Sequence, residues 1–143
     1  MDHGGKSMSQ QLIFAPMGAL AFLTLGVLGI IPLRRFAAGR AGLIKSDDFK
    51  FGESASVPGH VSVPNRAMMN LLELPVLFYV AGLMYFVAGK VDMVSLNVAW
   101  IYVAFRFIHT AIQLTYNNVM HRLIPFALSN VVLIAFWILF FVR

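Results

Sequence analysis

The sequence predicts an all-α integral membrane protein, a four-helix up-down bundle, and three observations carry that prediction. The 143 residues are 59% apolar and only 12% charged, with a mean hydropathy of +0.79, far from the mix of a water-soluble domain. Four apolar stretches, at about 11–33, 67–89, 94–117 and 123–142, each approach the ~20 residues that cross a bilayer. In lipid every backbone N–H and C=O of such runs must be paired internally, which leaves helices as their form.

The first stretch follows Lys6. It is longer than the apolar core of a secretory signal, about 7 to 15 residues, and lacks a clear small-residue cleavage site, so it reads as a retained helix. Between Arg34 and Asn65 the composition changes to RRFAAGRAGLIKSDDFKFGESASVPGHVSVPN, rich in Gly, Ser, Pro and charges of both signs. That predicts a loop over about 34–65, long enough to expect a function or structure of its own. The second, third and fourth stretches are joined by short connections, so those neighbours run antiparallel. The whole chain, 1–143, reads as a single transmembrane domain. Gly18, Gly26 and Gly29, with Ala19 and Ala21, would allow close helix approach and suit an oligomer interface. Pro75 predicts a kink that frees the carbonyl near Leu71. Trp100, Trp137, Tyr79 and Tyr102 are candidates for interfacial belts.

Charge sets orientation. The first loop and the last connection share one side and hold Arg34, Arg35, Arg40, Lys45, Lys50, Arg66 and Arg122, whereas the other side holds Lys6, Lys90 and Arg143. By the positive-inside rule the long loop is cytoplasmic and both termini lie opposite. The net charge of +5 is explained by topology and anionic lipid rather than by nucleic acid. Cysteine is absent, which excludes disulfides, thiolate metal sites and a cysteine nucleophile. No metal is expected, since His109 has no second His on its helix face, His60 and His121 lie near loops, and His3 is terminal.

Two apolar stretches carry polar stripes. In RAMMNLLELPVLFY, Arg66, Asn70 and Glu73 stand at i, i+4 and i+7, one side of a helix. In VAWIYVAFRFIHTAIQLTYNNV, Arg106, His109 and Gln113 fall at i, i+3 and i+7, with Asn117 continuing the face. At ~1.5 Å per residue Glu73 lies roughly 10 Å in from Arg66, and Arg106 lies at a similar depth on the antiparallel neighbour. A charge there costs at least ~2.5 to 3.5 kcal/mol against lipid, which predicts a Glu73–Arg106 pair. The stripes together predict either interhelical hydrogen bonding alone or a polar cavity lined by Arg66, Asn70, Glu73, Arg106, His109, Gln113 and Arg122. Such a cavity suits an anionic, zwitterionic or peptide-like ligand, with guanidinium forks for carboxylates and Glu73 for an ammonium.

Arg66-x-x-x-Asn70-x-x-Glu73 with Pro75 and Phe78, then Arg106-x-x-His109, resembles the MAPEG family, the membrane-associated proteins of eicosanoid and glutathione metabolism. The segment TYNNVMHRLIPFALSN is similar to the family's bacterial branch. The resemblance implies a homotrimer in a bacterial inner membrane, glutathione as cosubstrate held by Arg66, Asn70, Glu73 and Arg106, and transferase or peroxidase activity toward a lipophilic substrate. In that role Arg122 would be the catalytic cation that favours the glutathione thiolate. Two departures stand out: Gln113 occupies the place of a tyrosine in the glutathione-using enzymes, and Arg122 is displaced by about two residues relative to Arg106. The alternative is a noncatalytic member, a structural or accessory subunit or a binder of another amphiphile.

Overall fold

The computed structural model describes residues 10–143, so Lys6 and His3 lie outside the described residues. The helices are α1 (Phe14–Arg40), α2 (Gly59–Leu72), α3 (Pro75–Val87), α4 (Met93–Leu114) and α5 (Val119–Val142). Among the described residues no strand forms, and four segments are long and apolar enough to span a membrane: α1, α2 with α3, α4, and α5. This is the predicted all-α membrane bundle.

The second span is broken, not merely kinked. Pro75 has no N–H to donate to the Leu71 carbonyl, and its ring crowds the preceding turn. Glu73 leaves the helical region at φ −81°, ψ −95°, and Pro75 restarts the chain as the first residue of α3, where a missing N–H costs nothing.

The predicted loop over 34–65 is shorter than expected. Residues 34–40 complete α1 and 59–65 open α2, leaving 41–58 as the connection, with a 3-10 turn at Ser46–Phe49. Loss of hydropathy marks where lipid contact ends, whereas Arg and Ala still favour helix beyond that point. Ala38, Val57 and Val61 form a small apolar cluster beneath the connection, with Ile44 and Phe49 packed against it.

Arg34 closes this end of the bundle. Pro64 deprives the His60 carbonyl of its usual i+4 donor, and Arg34 Nη1 donates to that oxygen at 2.9 Å. Its Nη2 donates to the carbonyl of Leu114 at 3.0 Å, one of the terminal acceptors that a helix leaves open. One guanidinium thus joins α1, the start of α2 and the end of α4.

At the opposite end the Gln10 amide donates to the Val91 carbonyl and accepts from the Val91 N–H, both at 2.9 Å. Gly89, at φ +65°, ends α3 in the left-handed turn that glycine adopts without strain. Asp92 caps α4: its carboxylate accepts from Ser95 N–H at 2.7 Å and from Arg143 Nη1 at 2.8 Å. The Ser95 backbone bond, followed by the serine hydroxyl and the Arg143 charge, holds the Asp92 carboxyl below the usual carboxylate range.

The core is aromatic. Phe78 of α3 stacks on Tyr102 of α4 at 4.6 Å, and Tyr85 of α3 stacks on Phe136 of α5 at 4.6 Å. The Tyr85 hydroxyl also donates to the Phe136 carbonyl at 3.0 Å. Tyr102, expected at the membrane interface, is instead wholly enclosed, because the same face of α4 carries Arg106 one turn on. Gly82 lets α3 approach α1, since a Cβ there would meet the Met17 sulfur at 2.7 Å. Gly18, Gly26 and Gly29 meet no side chain within 4 Å in the chain itself.

Two predictions follow from these ends. Arg34→Gln should lower unfolding stability by about 1–3 kcal/mol, the scale of charge-assisted bonds left unmade. It should also speed amide hydrogen exchange jointly around 59–64 and 113–117; unchanged exchange there would refute the cross-link. Asp92→Ala should cost ~1 kcal/mol, typical of a lost N-cap, with little from the exposed Arg143 pair. Because the Asp92 pKa is depressed by folding, its contribution is present above the unfolded carboxylate pKa and is lost as pH falls through the folded value. A wild-type minus Asp92→Ala stability difference that does not shrink on acidification would contradict that assignment.

Candidate functional site

The site grows from the face of α4 that turns inward. Arg106, His109, Thr110 and Gln113 are all buried, Arg106 completely, as polar groups of a spanning helix must be if they are to avoid acyl chains. Two contacts fix the level of this face against the broken span. Phe78 meets Tyr102, and Asn70 Nδ2 donates to Gln113 Oε1 at 3.2 Å. With α4 antiparallel to α2 and α3, interpolation between those contacts puts Arg106 opposite the break at Glu73–Pro75.

Arg106 Nε donates to the Tyr102 hydroxyl at 3.1 Å, and its guanidinium carbon lies 5.5 Å from the Tyr102 ring centroid and 5.4 Å from that of Phe126. Its two terminal nitrogens are buried and have no hydrogen-bond partner. His109 Nδ1 donates to the Arg122 carbonyl at 2.9 Å, while its Nε2 is likewise buried without a partner. The Phe126 ring lies 5.4 Å from the His109 ring, so one aromatic of α5 covers both the Arg106 guanidinium and the His109 imidazole. Burying the guanidinium N–H groups without acceptors is costly, and a guanidinium fork has its strongest complement in a carboxylate or phosphate.

The stripe of the second span divides. Asn70 is half-buried and turns inward to Gln113, whereas Arg66 and Glu73 are exposed on the outer surface of the single chain. The expected Glu73–Arg106 ion pair is absent: among the described residues the ion pairs are Arg35–Glu53 and Arg143–Asp92. The i, i+4, i+7 argument assumed a continuous helix, but α2 ends at Leu72 and Glu73 falls in the break.

Arg122 stands in the first turn of α5. Its Nη1 donates to Asn117 Oδ1 at 2.7 Å, and Asn117 occupies a left-handed turn at φ +48°, a conformation that asparagine tolerates better than most residues. Asn118 then caps α5 by accepting from His121 N–H at 3.1 Å. The Asn-Asn pair therefore ends one span, starts the next and anchors the Arg122 side chain. Among the described residues no group of three His, Asp or Glu side chains is placed to hold a metal ion.

Sequence reasoning missed Tyr102 and Phe126 as walls of this site. The signal for Tyr102 was its place four residues before Arg106 on one helix face; Phe126 carried none. A prediction belongs to the Asn70–Gln113 bond: a double-mutant cycle with Asn70→Ala and Gln113→Ala should give a coupling of about 0.6–1.7 kcal/mol. A coupling near zero would mean that the two amides do not hold the levels of α2 and α4.

Comparison with known proteins adds one finding to this geometry. The model of the MAPEG family matches residues 13–142, which takes in every span and the polar groups of both stripes. No curated protein and no solved structure matches the chain. An integral membrane bundle of four spans, matched over nearly its whole length, belongs to the MAPEG family.

Proposed function

We propose that the chain is a glutathione-binding membrane protein with transferase or peroxidase activity toward lipophilic electrophiles, working as a homotrimer in a bacterial inner membrane with the connection 41–58 in the cytoplasm. The observation that carries this reading is Arg106: a wholly buried guanidinium whose two terminal nitrogens have no partner. Such a group fits an anionic ligand drawn in from the basic end of the bundle, where Arg34, Arg35, Arg40, Lys45 and Arg122 gather.

Glutathione would supply a thiol nucleophile and two carboxylates. Arg106 would bind one anionic group with its free nitrogens, and Arg66 a second at the outer face of α2. Glu73 would accept the ammonium, and Asn70 and Gln113 would keep α2 and α4 at the right levels. A guanidinium close to a thiol lowers a pKa that is otherwise about 8.5, raising the thiolate fraction at neutral pH; Arg122, half-buried near the mouth, and Arg106 are the cations available for that role. Tyr102 orients Arg106 through its hydroxyl, and Phe126 keeps water from its face. Lipophilic substrate would enter sideways from the acyl chains.

The exposed Arg66 and Glu73 support the homotrimer. Charges on the outer face of a spanning segment call for cover by protein or water, and a second copy would bring that cover while completing a site open on one side.

The test is a glutathione titration of the protein in lipid nanodiscs, following thiolate absorbance, beside an Arg106→Met variant. Wild type should give saturable thiolate, and the variant none. Without glutathione the variant should be as stable as wild type or more so, because an uncompensated buried cation has been replaced by an apolar chain of similar length. No thiolate in wild type at millimolar glutathione, together with a variant destabilised by about 3–5 kcal/mol, would instead assign Arg106 to the noncatalytic, structural reading.

A further inference from the structure

A second basic site lies away from the α4 face, where α1 leaves the bilayer. The end of α1 and the 3-10 turn enclose an open cavity of about 520 Å³, within the range of small-ligand sites. Its charged lining comes from Arg35, Arg40 and Lys45, and its apolar lining from Phe36, Ile44 and Phe49. No carboxylate lines it.

The three cations are not equivalent. Arg35 is fixed: its Nη2 pairs with Glu53 Oε1 at 3.1 Å, its guanidinium lies 4.3 Å from the Phe49 ring centroid, and its Nε is buried with no partner. Arg40 and Lys45 are exposed and take part in neither of the ion pairs found among the described residues. Nearby Asp48 is already engaged, accepting from Lys45 N–H at 2.7 Å and from Ser56 Oγ at 3.2 Å, and Asp47 is exposed and does not line the cavity. The lining therefore keeps a positive surplus after Glu53 has neutralised Arg35.

The cavity is continuous with an apolar surface. Leu25, Leu28, Leu33 and Phe36 of α1 are all exposed, Phe36 at 71%, and Phe36 itself lines the cavity. Cations at the head of an apolar strip match a molecule with an anionic head and acyl chains. A soluble anion would use the cations and leave the strip unexplained, whereas a neutral lipid would do the reverse.

We propose that this cavity is a binding site for the phosphate headgroup of an anionic phospholipid, with Arg40 and Lys45 contacting the phosphate, Arg35 and Phe49 forming the rigid wall, and the acyl chains lying along α1. Basic pockets at the ends of spanning helices select anionic headgroups by this combination of charge and desolvation. None of its lining residues belongs to the α4 face or is one of Arg66, Asn70 and Glu73.

The test uses the full chain reconstituted in vesicles of equal phosphatidylglycerol and phosphatidylcholine, then extracted in mild detergent and examined for retained lipid by native mass spectrometry. Phosphatidylglycerol should be enriched up to roughly thirtyfold over phosphatidylcholine, about fivefold for each of the two basic side chains. The Arg40→Gln, Lys45→Gln double variant should lose that enrichment, while Lys90→Gln, at the opposite end, should keep it. Both altered side chains of the double variant are exposed, so the fold is expected to survive, and an unchanged thermal midpoint in lipid verifies it. Equal retention of the two lipids, enrichment that survives the double variant, or equal loss with Lys90→Gln would overturn the site. Displacement of the retained lipid by millimolar inorganic phosphate would overturn its assignment to a lipid and leave a site for free phosphate.

Discussion

In hydrocarbon no water is available to take up a hydrogen bond that the chain leaves open, and the arrangement of this protein follows from that constraint. Each span solves it with helix, and each exception needs a partner. Proline makes the exceptions explicit. Pro64 removes the donor for the His60 carbonyl, and Arg34 replaces it. Pro75 removes the donor for Leu71, and the helix ends and restarts. The two outcomes differ: at Pro64 the helix continues because Arg34 reaches the His60 carbonyl, whereas at Pro75 the helix itself ends and restarts.

The break has a consequence for α4. A continuous helix would present Glu73 on the face shared with Arg66 and Asn70, where it could reach Arg106. With the break, Asn70 still meets Gln113 and Phe78 still meets Tyr102, so the two spans stay level on either side of Glu73. The Glu73 carboxylate, like Arg66, is turned out. Arg106 is left enclosed by aromatic rings, with its charge spread over faces that attract cations and its terminal nitrogens open.

The spans were legible in the sequence because hydropathy and length report the solvent directly. Their ends were not: α1 runs on to Arg40 and α2 begins at Gly59, past the points where lipid contact stops mattering to composition. The α4 stripe was legible because Arg106, His109 and Gln113 share one uninterrupted helix. Of the α2 stripe only Asn70 turns inward: Glu73 falls in the break that Pro75 makes, and Arg66, on the unbroken part of α2, faces outward. Arg34 looked like one of several topological charges, and nothing in its spacing pointed to two carbonyls on different helices. Tyr102 looked interfacial by type, although its register with Arg106 placed it inside. Hydropathy and periodicity therefore located the polar stripes to two spans, and tertiary contacts decided which of their residues turn inward.

The polar groups of the two stripes are left open in opposite directions, and this asymmetry constrains any account of the protein. The terminal nitrogens of Arg106 and Nε2 of His109 point inward without partners; Arg66 and Glu73 point outward and lack cover. Rearrangement within one chain cannot satisfy both, because Asn70–Gln113 and Phe78–Tyr102 already fix the levels between them. An inward cation needs an anion small enough to enter beside Phe126, and outward charges on a spanning segment need a protein neighbour or a water-filled cleft. A ligand alone would leave Arg66 and Glu73 against lipid, and a neighbour alone would leave Arg106 unpaired. The proposed anionic ligand would answer the first need, and a second copy of the chain or a water-filled cleft the second.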